Sequence, residues 1–222
     1  MDSVAGRGTC IARDMTKPRK QNFSGFKLAN AYQHLGITTL EAWDLSLTPL
    51  EPSDFFRERL NRLQQTFDLR AYEKSKELLI DAVCEEVLYP NPSLKVWKGA
   101  ALSSDTLTGN VDYLVTDWKD YLDTPFLCIV EAKRDDFEQG LAQCLVEMLA
   151  CRWNNKRQYG ELGEFSVFGI VTNADTWRFY ELTATGSVRE SLPYAMGNLP
   201  TVLGALRLVF DLCAENCQAL QS

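Results

Sequence analysis

Apolar residues recur at helical spacing as far as Leu88. They then fall into short continuous runs, interrupted by one helical stretch, from Leu94 to Leu182, and return to helical spacing near the C-terminus. From Phe23 to Leu45, the positions of Phe26, Leu28, Tyr32, Leu35, Leu40 and Trp43 predict short helices broken at Gly36. Pro49 and Pro52 mark a loop. Ser53 is then a good N-cap for a helix from Asp54 to Phe67, with Asp54 suiting the positive end of its dipole and Phe55, Phe56, Leu60, Leu63 and Phe67 forming an apolar face. The next helix, about Tyr72 to Leu88, carries Ile80, Cys84, Val87 and Leu88 as its stripe, and Glu77 lies on that stripe one turn earlier. Tyr89-Pro90-Asn91-Pro92 ends it.

Three strands follow, Leu94 to Leu102, Thr108 to Thr116 and Phe126 to Lys133, with Gly109-Asn110 as the tight-turn signal for a hairpin between the first two. Asp135 and Asp136 cap a helix from Phe137 to about Asn154, with Leu141, Leu145, Met148, Leu149 and Trp153 along one side. Phe165 to Thr172 reads as a buried strand paired across Asn173-Ala174-Asp175 with Thr176 to Leu182, where Arg178 and Glu181 alternate outward as on an edge strand. Pro193 to Pro200 is irregular. Thr201 to about Leu220 is a final helix with Leu203, Leu206, Phe210, Cys213 and Cys217 as its stripe.

Charges interrupt this pattern where a buried strand should not tolerate them. Val111, Tyr113, Leu114 and Val115 surround Asp112, and the run from Phe126 to Val130 leads straight into Glu131, Ala132 and Lys133. Such charges cost several kcal/mol unless paired or metal-bound. Glu131 and Lys133, two apart on a strand, project to one face. Side by side, Asp112 and Glu131 make a hard oxygen site suited to Mg²⁺ or Mn²⁺, while Lys133 steers or deprotonates a water or neutralises charge on a phosphate. The plainer alternative is a surface salt bridge between Glu131 and Lys133, with Asp112 in a turn.

The order helix, strand, strand with Asp112, strand with Glu131-Ala132-Lys133, then helix resembles the core of the PD-(D/E)XK nuclease superfamily over roughly Arg70 to Leu182, with Val111-Asp112 in place of Pro-Asp. The resemblance implies an α/β fold: a restriction-endonuclease-like αβββαβ core with a mixed central sheet flanked by helices. The divisions expected are a flexible basic tail (1–21), a helical extension (22–69), the core (70–184) and a C-terminal helix packed on it (185–222). The implied activity is metal-dependent hydrolysis of nucleic-acid phosphodiesters, DNA ahead of RNA. Mg²⁺, or Mn²⁺ in its place, would be held by Asp112, Glu131 and the backbone carbonyl of Ala132. A superfamily glutamate from the first core helix falls at Glu77, with Glu85 and Glu86 on the flanks. The amide of the following helix that orients water or phosphate falls at Gln143, ahead of Gln139. The alternative is a catalytically silent nuclease-like fold serving as a nucleic-acid or protein binding and assembly module.

Composition narrows the chemistry. His34 is the single histidine, which removes triads, HNH-type nucleases and histidine-ligated zinc. Seven cysteines without close pairs fit a reducing compartment and core packing. With no signal-peptide pattern and no apolar run of membrane-spanning length, the expectation is a cytoplasmic protein without a membrane partner. The net charge of −7 is unfavourable for a nucleic-acid enzyme, but it is unevenly spread. Residues 1–34 hold six basic and two acidic residues, or +4, which leaves −11 for the remainder. The Lys17-Pro18-Arg19-Lys20 run is either a backbone contact or a solvated tail, and Arg152, Lys156 and Arg157 cluster at a helix end. The apolar helices of the N-terminal third suggest a homodimer or larger complex.

Overall fold

A computed structural model describes residues 19–69, 72–89, 93–133 and 136–221. Its mixed nine-stranded sheet carries helices on both faces. Strands β1 (Gln21–Asn22) and β2 (Glu41–Trp43) alternate with helices α1 (Leu28–Leu35) and α2 (Asp54–Thr66) in the N-terminal third. The chain continues through α3 (Glu73–Leu88), β3 (Leu94–Ser103), β4 (Leu107–Asp117), β5 (Phe126–Ala132), α4 (Phe137–Tyr159) and β6 (Val167–Thr172). It closes with β7 (Thr176–Leu182), β8 (Val188–Ser191), β9 (Tyr194–Ala195) and α5 (Leu199–Gln221). β3 and β4 form an antiparallel hairpin, β5 is antiparallel to β4, and β6 returns parallel to β5 through α4.

The two faces bury separate apolar clusters. Tyr113, Val115, Cys128, Val130, Phe168 and Ile170 meet α3 and α5 on one; Leu114, Ile129 and Val171 meet α4 on the other. This is the alternation that strand geometry imposes on neighbouring residues. Six cysteines are free and buried, as packing residues should be. Cys10 lies outside the described residues, as do Lys17, Pro18, Arg70, Pro90, Asn91, Pro92 and Asp135. Helix α5 is long and apolar enough by length and composition to cross a membrane; here its stripe of Val202, Leu203, Leu206, Phe210, Cys213 and Cys217 is buried in the core.

Several expectations need correction. Gly109 and Asn110 lie inside β4, and the hairpin turns at Ser104–Thr106, where Ser104 Oγ accepts from the amides of Thr106 and Leu107. Gly109 is needed for close approach, since a Cβ there would meet the Phe23 ring at 2.6 Å. β7 is not an edge strand: β8 and β9 pair with its free side. The N-terminal third is not purely helical, because β1 joins β4 and β2 joins β8. These strands have two to four residues, too few to show a period. Its helices dock on the core, α1 against α4 and α2 against α3. Glu86, read as a solvated flank, accepts from the amide and hydroxyl of Ser53 at 2.6 and 2.9 Å, and Glu85 pairs with Arg59.

The placement of α4 decides the geometry of the site. Asn155 donates to Phe126 O at 2.7 Å and accepts from Phe126 N at 2.8 Å, replacing a strand neighbour at the start of β5. The adjacent Asn154 donates to Ser103 O at 2.9 Å. On β4 the partners of Phe126 and Ser103 are Thr116 and Thr108. Eight residues separate these threonines, roughly 26 Å of straight strand. The hairpin therefore curls over α4, with Gly99 at φ +63° at the position opposite Asp112. Asn155→Ala would leave both Phe126 backbone groups buried and unpaired. We expect a loss of about 2–4 kcal/mol, read as a melting temperature lower by roughly 5–15 °C.

Candidate functional site

Asp112, Glu131, Lys133 and Gln143 come together beneath the first turns of α4, on the sheet face that carries Leu114 and Ile129. The ladder between β4 and β5 runs as far as Tyr113 opposite Val130. One step further the strands part, and Asp112 Oδ2 accepts from Ala132 N at 2.9 Å, standing in for the missing backbone acceptor. That bond fixes Asp112 beside Glu131 and uses one of its two oxygens. Lys133 N is tied on the other side to Thr172 O of β6 at 2.9 Å. Asp136 caps α4 by accepting from Gln139 N at 2.8 Å, so the helix starts four residues after Lys133. Gly140 lets it sit close: a Cβ there would meet Val171 Cγ1 at 2.8 Å and Lys133 Cγ at 2.9 Å.

The residue missed by sequence reading is Glu147. It is fully buried in α4, one turn after Gln143, and Gln143 Nε2 donates to its Oε1 at 3.0 Å. Glu131 is also fully buried. Lys133 Nζ lies 2.6 Å from Glu131 Oε1 as an ion pair, and its side chain is 22% exposed. The other oxygen of Glu131, Oε2, and Oε2 of Glu147 are buried without a hydrogen-bond partner. Burial, and then the Asp112 charge, push Glu131 up to about 7 despite the opposing pull of Lys133. Burial and the neighbouring Glu131 raise Glu147 well above the ordinary carboxylate range. The signal for Glu147 was a lone charge in the apolar run Leu141-Ala142-Gln143-Cys144-Leu145-Val146-Glu147-Met148.

Glu77 does not join this cluster. Tyr113 Oη donates to Asp81 Oδ1 at 2.9 Å and to Glu77 O at 3.4 Å, which puts α3 on the Tyr113 face. Asp112, the next residue along β4, projects to the opposite face. Glu77 pairs instead with Lys74 at 3.0 Å and Lys98 at 3.3 Å. Partial burial pushes it up, but those two lysines outweigh this and hold it below its usual range. Its place on the apolar stripe of α3 reflects a half-buried ion pair. Gln139 donates to Ser24 O at 3.3 Å, tying α4 to the N-terminal segment.

Asp112, Glu131 and the Ala132 carbonyl are the oxygen donors available for a divalent ion. Hard cations prefer oxygen ligands, and the unpartnered buried Oε2 of Glu131 fits that chemistry. Among the described residues no three His, Cys, Asp or Glu side chains form a ready-made ligand group, so a bound ion would take backbone or water oxygen as well.

Comparison with known protein families finds no match. Among curated proteins, the chain is similar to Crinkler effector protein 1 of Rhizophagus irregularis, at 38% identity over 66 residues. The match covers 28% of this chain and only 14% of that protein.

The buried carboxylates set the pH response of the metal-free protein. A carboxyl raised in the folded state stabilises it below the ordinary value, and that stabilisation is lost as pH rises through the folded value. For Glu131 the loss falls between about 4.5 and about 7. Glu131→Gln removes it, as does Glu147→Gln in the same direction. In melting curves without divalent ions, we expect Glu131→Gln to gain on wild type by about 2–4 kcal/mol, on the order of 5–10 °C, between pH 5 and pH 8.

Proposed function

We propose that the chain is a Mg²⁺- or Mn²⁺-dependent nuclease with a restriction-endonuclease-like core, acting on DNA ahead of RNA. The order α3–β3–β4–β5–α4–β6 follows the αβββαβ succession of the PD-(D/E)XK superfamily, with Asp112 on the second strand and Glu131-Ala132-Lys133 ending the third. The observation that carries the reading is the pair of fully buried glutamates, Glu131 and Glu147, each with its Oε2 lacking a hydrogen-bond donor, beside Asp112 and a partly exposed lysine. A fold without use for a cation there would be expected to hydrogen-bond those atoms.

In this reading Asp112, Glu131 and the Ala132 carbonyl would hold the ion, which would supply Lewis-acid charge neutralisation at the scissile phosphate. Asp112 can contribute one oxygen while its other keeps the end of β5 in register through Ala132 N. Lys133, on the same face as Glu131 and open to solvent, orients the attacking water and places positive charge where the phosphate gains negative charge. Gln143 has its amide nitrogen engaged by Glu147, so its role is to hold Glu147 rather than to grip the phosphate.

The reading of a binding or assembly module has one observation in its favour, the lack of a ready-made three-ligand group among the described residues. The surface it would use lies on α2 and the end of α3, where Phe55 is 66% and Tyr89 86% exposed. A cytoplasmic location remains part of the nuclease proposal.

Cleavage of plasmid, linear duplex, single-stranded DNA and RNA with Mg²⁺, Mn²⁺ or EDTA separates the readings. We expect metal-dependent cutting that falls at least about 100-fold in both Asp112→Asn and Lys133→Ala. A folded wild type that cuts nothing with either metal supports the binding module.

A further inference from the structure

Two basic clusters lie more than 130 residues apart in sequence, and neither belongs to the carboxylate site. One is Arg19-Lys20, directly before β1; the other is Arg152, Lys156 and Arg157 on the last turns of α4. The fold brings them to one place. Gln21 N donates to Thr106 O at 2.8 Å, which sets Arg19 and Lys20, both exposed, against the β3–β4 turn. The same turn is held to α4 by the Asn154 bond to Ser103 O. Between turn and helix lies a groove of about 310 Å³ whose lining includes His34, Asp105, Thr106, Arg152, Trp153 and Lys156.

The acidic groups nearby are engaged locally. Asp105 accepts from Thr106 N at 2.9 Å, and Glu164 pairs with Lys156. Arg152 is anchored by the carbonyls of Ala184 at 2.8 Å and Thr183 at 3.4 Å. Arg157 stacks over the Trp153 ring, 5.2 Å from its centroid. A partly exposed indole flanked by cations is suited to a polyanion that also offers flat faces.

We infer that the groove between the β3–β4 turn and the end of α4 binds the phosphate backbone of a nucleic-acid strand. The inference rests on the nuclease reading for its choice of nucleic acid, yet it fails or stands separately. β4 links the two places, since Leu107 beside the groove and Asp112 in the carboxylate site are five residues apart, about 16 Å of strand.

The test is fluorescence anisotropy of the full chain with a labelled single-stranded oligonucleotide and its duplex, in EDTA, between about 50 and 200 mM salt. The variants are Lys20→Glu with Lys156→Glu, one from each cluster and the second in the groove wall, and the control pair Arg57→Glu with Arg62→Glu on α2. We expect the groove pair to lose about tenfold or more in affinity at low salt. The slope of log affinity against log salt should drop by roughly 1.5–2, while the control pair binds as wild type does. Equal affinity and slope in the groove pair and wild type would overturn the inference even if the chain cuts nucleic acid. Loss confined to the groove pair would sustain it even if wild type never cuts. Binding to phosphatidylserine-containing vesicles, with none to either oligonucleotide, would also overturn it.

Discussion

Two glutamates fully enclosed between a sheet and a helix are the constraint on which the rest of this structure turns. Glu131 is the penultimate residue of β5 and Glu147 faces it from α4, with neither open to water. Charged together they repel in a medium that screens poorly, so the folded chain needs a proton or a cation between them. Both are held well above the ordinary carboxylate range, the direction that follows from that need.

The surrounding architecture keeps this arrangement closed. Gly140 lets α4 approach β5 and β6, Asn155 locks the far end of the helix onto Phe126, and the curled hairpin covers it from the other side. Helix α1 packs along the remaining flank of α4. Most of α4 from Gly140 to Cys151 is buried, although it lies on the outside of the sheet. Asp112 belongs to the same design: it terminates the β4–β5 ladder with its own oxygen and is partly open to solvent, as is Lys133. Access to the carboxylates therefore runs past these two residues.

Much of this was legible in the chain itself. The interruption of apolar strands by Asp112, Glu131 and Lys133 identified the cluster, because a strand alternates faces and a charge on a buried face needs a reason. The helices α2, α3, α4 and α5 and the strands β3 to β7 were readable from periodicity to within a few residues. What escaped has physical causes. Four strands of two to four residues are too short to carry a period. Gly109 is a glycine for Phe23 and not for a turn. Glu77 shares an apolar stripe because its lysine partners reach it there. Glu147 was hidden because α4 is apolar on several sides, and no single stripe marks the face that meets the sheet.

The central claim is that a divalent cation belongs among these carboxylates. The most direct measurement is the melting temperature at pH 8 against Mn²⁺ concentration, for wild type and Glu131→Gln. A ligand bound only by the folded state adds about 2.7 kcal/mol at a hundred times its dissociation constant. The account predicts a saturable rise of several degrees in wild type and none in Glu131→Gln. A flat wild-type curve, or an equal rise in both, would contradict it.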